Sequence, residues 1–195
     1  PGKEFVINPS ATGDKTTYQL REVSADEILD LSKIRSIIQT IKSNTSQTTA
    51  LLIDYTLLSG DTLKKVKEIA YELATVLPVV ELINTKFTWS VGREQSFSPY
   101  IEIQHDAIDK TALLTIDIES EMVKNYQSQN VMAYIPAKKK CAKTIVFTAH
   151  YDHLGRMGSE TYFPGGNDNA SGTAMLFTMA NYFKSNPAEF NLLFV

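Results

Sequence analysis

The chain has 195 residues, 43% of them hydrophobic and 21% charged, with a formal net charge of −3. That length and balance suit one large globular domain or two small ones, and they supply no basic footprint for nucleic acid. No apolar run reaches the roughly 18 residues a membrane span needs, and the amino terminus lacks the charged-then-apolar layout of a signal peptide. Because the sequence opens on Pro1 and not on methionine, the removal of a leader or a longer segment is allowed for. Lys138, Lys139 and Lys140 make too short a run to bind a polyanion and read as a solvated turn. Cys141 is the single cysteine, which rules out an internal disulfide framework; with no paired base beside it, it reads as a buried small hydrophobe.

In chain order, the first strong signal is a helix. Ile28, Leu29, Leu31, Ile34, Ile37, Ile38 and Ile41 recur at helical spacing behind Ser24, with Asp26 and Glu27 in the first turn. Ala50 to Ile53 reads as a short buried strand. Ser59-Gly60-Asp61 breaks the chain, and Leu63, Val66, Ile69, Ala70 and Leu73 mark a second amphipathic helix. Pro78 to Ile83 follows as a strand whose proline suits its first position, and Tyr100 to Gln104 as another. A domain boundary is placed near Asp109. Beyond it, Ala112 to Glu119 alternates cleanly and Gln129 to Ile135 is a further strand, and the two are expected to pair antiparallel at a sheet edge.

Thr144 to Ala149 is nearly continuous and apolar, the pattern of a strand buried on both faces. A helix pattern runs from Ser171 through Ala174, Met175, Phe177, Thr178 and Tyr182 to Asn186-Pro187, and Asn191 to Val195 is one more apolar strand. Strand, helix, strand in that order predicts a parallel crossover, with a ligand site outside the carboxyl ends of its strands.

Two clusters fall at that place. His150-Tyr151-Asp152-His153-Leu154-Gly155 ends the apolar strand, and Gly165-Gly166-Asn167-Asp168-Asn169-Ala170-Ser171-Gly172 enters the helix. A histidine at a strand end presents its imidazole at a fixed angle, and a carboxylate two residues on points to the same side of an extended chain. Asp152 is thus placed to hold the second ring nitrogen of His150, as metal-bound histidines require; the alternative is a solvated strand end. Asp168 sits in a turn of small residues where Asn169 or Ser171 could simply cap the helix. A carboxylate there could also span two divalent ions about 3.5 to 4 Å apart. His153 lacks an orienting carboxylate at that spacing and is read as supporting or superficial, and His105 as an ordinary loop or strand residue.

Together, AHYDHLG and PGGNDNASGTA resemble the signature of the co-catalytic dizinc aminopeptidase family, related to leucyl aminopeptidases, glutamate carboxypeptidases and glutaminyl cyclases. The resemblance covers Thr111 to Val195. It implies that His150 ligates one zinc, that Asp168 bridges two Zn2+ ions, that Asp152 orients His150 in a catalytic role, and that the Asp168-Asn169 peptide bond is cis. More weakly, the segment before Thr111 resembles a protease-associated domain, implying a role in interaction or substrate access. The fold expected is α/β: a partial zinc-aminopeptidase-type mixed sheet with flanking helices over residues 110–195, preceded by a smaller α+β protease-associated-like domain over residues 1–109.

In the family, a general-base glutamate and a ligand glutamate follow the strand that here is Asn191 to Val195, and further Asp and His ligands come later. The expectation is therefore an incomplete fragment that binds zinc weakly or not at all and hydrolyses no peptide. The complete enzyme would remove amino-terminal residues from a peptide or protein substrate by metal-activated water. A glutaminyl cyclase or carboxypeptidase relative, or a non-catalytic interaction module on the same fold, are the alternatives. The terminal strand is expected at a sheet edge, where it could mediate self-association. An extracytoplasmic location is implied by the resemblance alone.

Overall fold

Ser24 opens a helix as its side chain predicts. In the computed structural model, which describes every residue except Phe97 and Ala112, the Glu27 amide donates to Ser24 Oγ at 3.3 Å and the Ser24 amide to Glu27 Oε2 at 2.8 Å, a reciprocal cap. The helix is not continuous to Ile41, however. It stops at Asp30, whose extended backbone and carboxylate restart it by accepting the amides of Ser32 and Lys33 at 2.9 and 3.2 Å. An aspartate that can cap competes with helix continuation, so one periodic stretch becomes α1 (Ala25–Leu29) and α2 (Leu31–Ser43).

The chain divides into two units, Pro1–Val123 and Lys124–Val195. The first is the larger. It holds β1 (Phe5–Ile7), β2 (Asp14–Glu22), β3 (Thr49–Asp54), α3 (Gly60–Leu73), β4 (Val79–Ile83), β5 (Tyr100–Gln104) and β6 (Leu113–Ile118) besides α1 and α2. Its sheet runs β1-β5-β4-β3-β2-β6, with β2 to β5 parallel and both edges antiparallel. Alternation along the central strands feeds two cores. Leu51, Ile53, Val79 and Ile83 pack with Ile28 and Ile34 and with Val66, Ala70 and Leu73 of α3. Ala50, Leu52, Val80 and Leu82 pack with Tyr18, Ile101, Ile103 and Ile116 on the other side. Strands buried on both faces read as apolar runs, which is why β3 and β4 were legible.

β6 pairs with β2, from Asp14 opposite Ile118 to Gln19 opposite Leu113, and not with the strand after it. The boundary therefore lies at Val123 and not near Asp109. The partner strand β2 escaped sequence reading because Tyr18 is its one buried residue and polar side chains fill most of the rest. Ala112, the expected start of β6, lies outside the described residues.

Glu81 is the exception to the apolar lining of β4. It is 3% exposed and, among the described residues, the one charged side chain classed as buried. The Tyr55 and Tyr100 hydroxyls both donate to its Oε1. Glu102 sits opposite it in register, and Lys67 of α3 lies over the Tyr55 ring at 5.3 Å. Burial pushes the Glu81 pKa up to about 7 against the pull of the Tyr100 and Tyr55 hydroxyls; Glu102 adds to the rise and Lys67 opposes it.

The second unit contains β7 (Ala133–Ile135), β8 (Thr144–Phe147), β9 (Gly155–Met157), β10 (Thr161–Phe163), α4 (Ser171–Ser185) and β11 (Asn191–Phe194). Its three-stranded sheet has the order β7-β11-β8, with β11 parallel to β8 and antiparallel to β7. The expected parallel crossover through α4 is present. The terminal strand is the middle one and not an edge, because both its sides are paired. Phe147 and Phe194, directly opposite in register, stack with ring centroids 5.5 Å apart. Asn191 fixes the start of β11 by accepting the Ala137 amide at 3.0 Å and donating to the Cys141 carbonyl at 2.8 Å. Cys141 itself is half-buried, not fully so. β9 and β10 form an antiparallel hairpin. Among the described residues no helix is long and apolar enough to cross a membrane.

Candidate metal centre

The ladder between β8 and β11 carries on past both strands. The Val195 amide donates to the Phe147 carbonyl at 2.9 Å and the Ala149 amide to the Val195 carbonyl at 3.0 Å. His150 is the next residue, so its backbone leaves a fixed point at the carboxyl end of the strand.

Asp168 arrives from the other side. A widened turn over Gly166–Ala170 leads into α4, with the Ala170 amide donating to the Gly165 carbonyl at 3.0 Å. Asp168 and Asn169 leave helical geometry within it, and the bond between them is cis, as the resemblance implied. Of the two cap candidates, Asn169 takes the role: its Oδ1 accepts the Gly172 amide at 3.1 Å, while Ser171 Oγ donates back to the Asn167 carbonyl at 3.0 Å. Gly165 lets the turn close on His153, since a Cβ there would stand 2.7 Å from the His153 Cβ and 2.8 Å from the Asp168 carbonyl oxygen.

The three residues singled out from sequence come together. His150 Nε2 lies 3.0 Å from Asp168 Oδ1. His150 Nδ1 lies 3.3 Å from Asp152 Oδ1 and 3.0 Å from the Asp152 main-chain carbonyl. The carbonyl is thus the nearer partner of the ring nitrogen, a contact that a motif of side chains could not reveal. It raises the His150 pKa, and the Asp168 and Asp152 carboxylates add to the rise. His153 stands at the margin, its Nδ1 4.0 Å from Asp168 Oδ2. Thr173, which sequence reading passed over, donates from Oγ1 to the His150 carbonyl at 3.1 Å. A cleft of about 1250 Å³ opens beside the pair, bounded by His150, Asp152 and His153 and by Thr173 and Phe177 of α4.

His105 lies elsewhere, in the first unit. Its Nδ1 is 3.0 Å from Asp106 Oδ1 and its Nε2 3.6 Å from Asp54 Oδ2, beside the Lys110 ammonium that contacts the same Asp54 oxygen at 2.6 Å. That ion cluster ties the segment before β6 to the end of β3.

The donor chemistry at His150 and Asp168 fits a divalent ion such as zinc. An imidazole nitrogen and a carboxylate oxygen 3.0 Å apart are close to the roughly 3.3 Å that two donors about 2 Å from one tetrahedral ion would span. The fit is partial, because among the described residues no group of three or more His, Cys, Asp or Glu side chains could hold a metal ion.

Comparison with known proteins agrees with the geometry. The model of Peptidase family M28 matches residues 130–195. Aminopeptidase YwaD of Bacillus subtilis (strain 168) is 38% identical over 72 residues, which is 36% of this chain and 14% of that protein's length. No solved structure matches. The matched segment contains the whole His150-Asp152-Asp168 constellation together with β8, α4 and β11, and over residues 130–195 this chain is similar to peptidase family M28.

Proposed function

We propose that the second unit carries part of the metal centre of a zinc-dependent aminopeptidase, with His150 and Asp168 as metal ligands. The observation that carries this reading is the 3.0 Å approach of His150 Nε2 to Asp168 Oδ1, made between the end of β8 and the turn before α4. His150 offers Nε2 because Nδ1 faces the Asp152 carbonyl and carboxylate, which select the tautomer. Asp168 has one oxygen toward His150 and a second toward His153, so its carboxylate is free to serve two ions. Bound zinc would supply Lewis acidity toward a peptide carbonyl and a water that ionises near neutral pH. The relative's aminopeptidase activity makes removal of an amino-terminal residue from a peptide or protein the leading reaction.

Two donors fall short of the three protein ligands usual in catalytic zinc sites, so the 195 residues alone hold zinc weakly and turn over no peptide. The first unit is read as a protease-associated-like accessory module, on its strand and helix order alone. An extracytoplasmic location goes with that reading and rests on the resemblance.

Zinc(II) titration of the whole chain against a chromophoric chelator tests the site. His150→Ala and Asp168→Ala are each expected to abolish the weak binding; if both variants bind as the parent does, the assignment is wrong. Chelator-sensitive turnover of an aminoacyl chromogenic substrate by the purified chain would refute the expectation of inactivity.

A further inference from the structure

One hydroxyl touches the main chain at His150 and at Asn169, the residue after Asp168. Thr173, in the first turn of α4, has Oγ1 3.1 Å from the His150 carbonyl and 3.2 Å from the Asn169 carbonyl. The second contact is ordinary, since helical threonines often return a hydrogen bond to the carbonyl four residues back. The first is not local. It spans 23 residues and joins α4 to the end of β8.

We propose that Thr173 is a positioning residue of this centre: its hydroxyl, sharing one proton between the His150 and Asn169 carbonyls, ties the His150 backbone to the start of α4 and so holds the His150 and Asp168 side chains at ligand spacing. The inference rests on the zinc reading above. The turn that carries Asp168 is anchored to the same end of α4, through the Asn169 cap on the Gly172 amide and the Ser171 hydroxyl on Asn167. A tether from that end to His150 therefore fixes one ligand against the other. His150 lies just past the last bond of the β8 ladder, so its carbonyl is where a further restraint acts most directly on the imidazole. Thr173 does not touch the metal, and its effect passes through the backbone. Groups that orient metal ligands in this indirect way typically change metal affinity about 10- to 100-fold.

The test is a zinc(II) titration of the full chain followed by the His150 imidazole resonances. The set comprises the parent, Thr173→Val, Thr173→Ser, His150→Ala and Asp168→Ala. Thr173→Val keeps the branched shape and loses the hydroxyl; it is expected to weaken zinc binding about tenfold or more. Thr173→Ser keeps the hydroxyl and is expected to stay close to the parent, a rescue that a purely packing role would not give. Far-UV dichroism on each variant identifies any loss of fold. Parent-like affinity in Thr173→Val, or equal loss in Thr173→Ser, overturns the proposal while the site reading stands, provided that His150→Ala and Asp168→Ala lose zinc. If those two variants keep it, or the parent binds no zinc, the site reading fails and this inference with it.

Discussion

Replacing Glu81 by Gln removes the carboxyl buried between α3 and β4–β5, and the structure gives both the sign and the size of the effect. In the unfolded chain that carboxyl ionises near the ordinary value of 4.5, and in the folded one at about 7. Between those values the folded state holds a proton that the unfolded state has released, so the unfolding equilibrium constant rises with pH. The full stability is present below 4.5, falls through the window and levels off above about 7. At about 1.4 kcal/mol per pKa unit the loss amounts to about 3 to 4 kcal/mol. Glu102, whose pKa burial also raises, pushes in the same direction. Glu81→Gln keeps an acceptor for the two tyrosine hydroxyls and never ionises. It should match the parent near about pH 4 and exceed it near about pH 8. The assay is urea unfolding across that range, followed by the fluorescence of Trp89, the single tryptophan, whose indole donates to the Ile7 carbonyl of the same unit at 2.7 Å. A parent stability that does not change with pH, or a slope undiminished in Glu81→Gln, refutes the reasoning.

Lys110→Met should destabilise the first unit by about 1–2 kcal/mol at neutral pH by stripping the 2.6 Å partner from half-buried Asp54. Burial alone would raise the Asp54 pKa, but Lys110 and Thr56 hold it down to about 2, so the contribution is present above 3.8 and is lost as pH falls toward 2; acid unfolding of parent and variant should converge there. Gly165→Ala should cost about 1–3 kcal/mol in the second unit and weaken zinc binding, since its Cβ meets His153 and the Asp168 carbonyl oxygen, with thermal melting and zinc titration as the checks. Asp30→Ala should cost about 1 kcal/mol by uncapping α2, read from the urea midpoint.

What sequence could and could not show follows from the range of each interaction. β3, β4, β5 and β8 were legible as strands because apolar runs and flanking turn residues are local, but the burial of β8 on both faces is not found: it is a sheet edge with Ile145 and Val146 exposed. The Ser24 cap was legible for the same reason. The pairing of β6 was not, because its partner β2 lies at the other end of the unit and has one buried side chain, so no local pattern announces it. Asp30 carried a readable signal that the hydrophobic period overrode. At the site, residue types and spacing brought out His150, Asp152 and Asp168, which the fold does bring together. The Asp152 carbonyl and the Thr173 hydroxyl stayed hidden, since a backbone acceptor has no letter and a threonine in a helix has many uses.

The place of β11 in its sheet has a consequence for how the site comes into being. β7 and β8 each pair with β11 and not with one another, and β11 follows α4 in the sequence. The strand that aims His150 therefore acquires its hydrogen-bonded neighbour only after the helix carrying Thr173 has been made. During synthesis the histidine and aspartate motifs would emerge as unanchored loops, and one late strand would act as the keystone that turns them into a pair. Such non-local closure is slow to form, and the spacing of His150 and Asp168 waits on it.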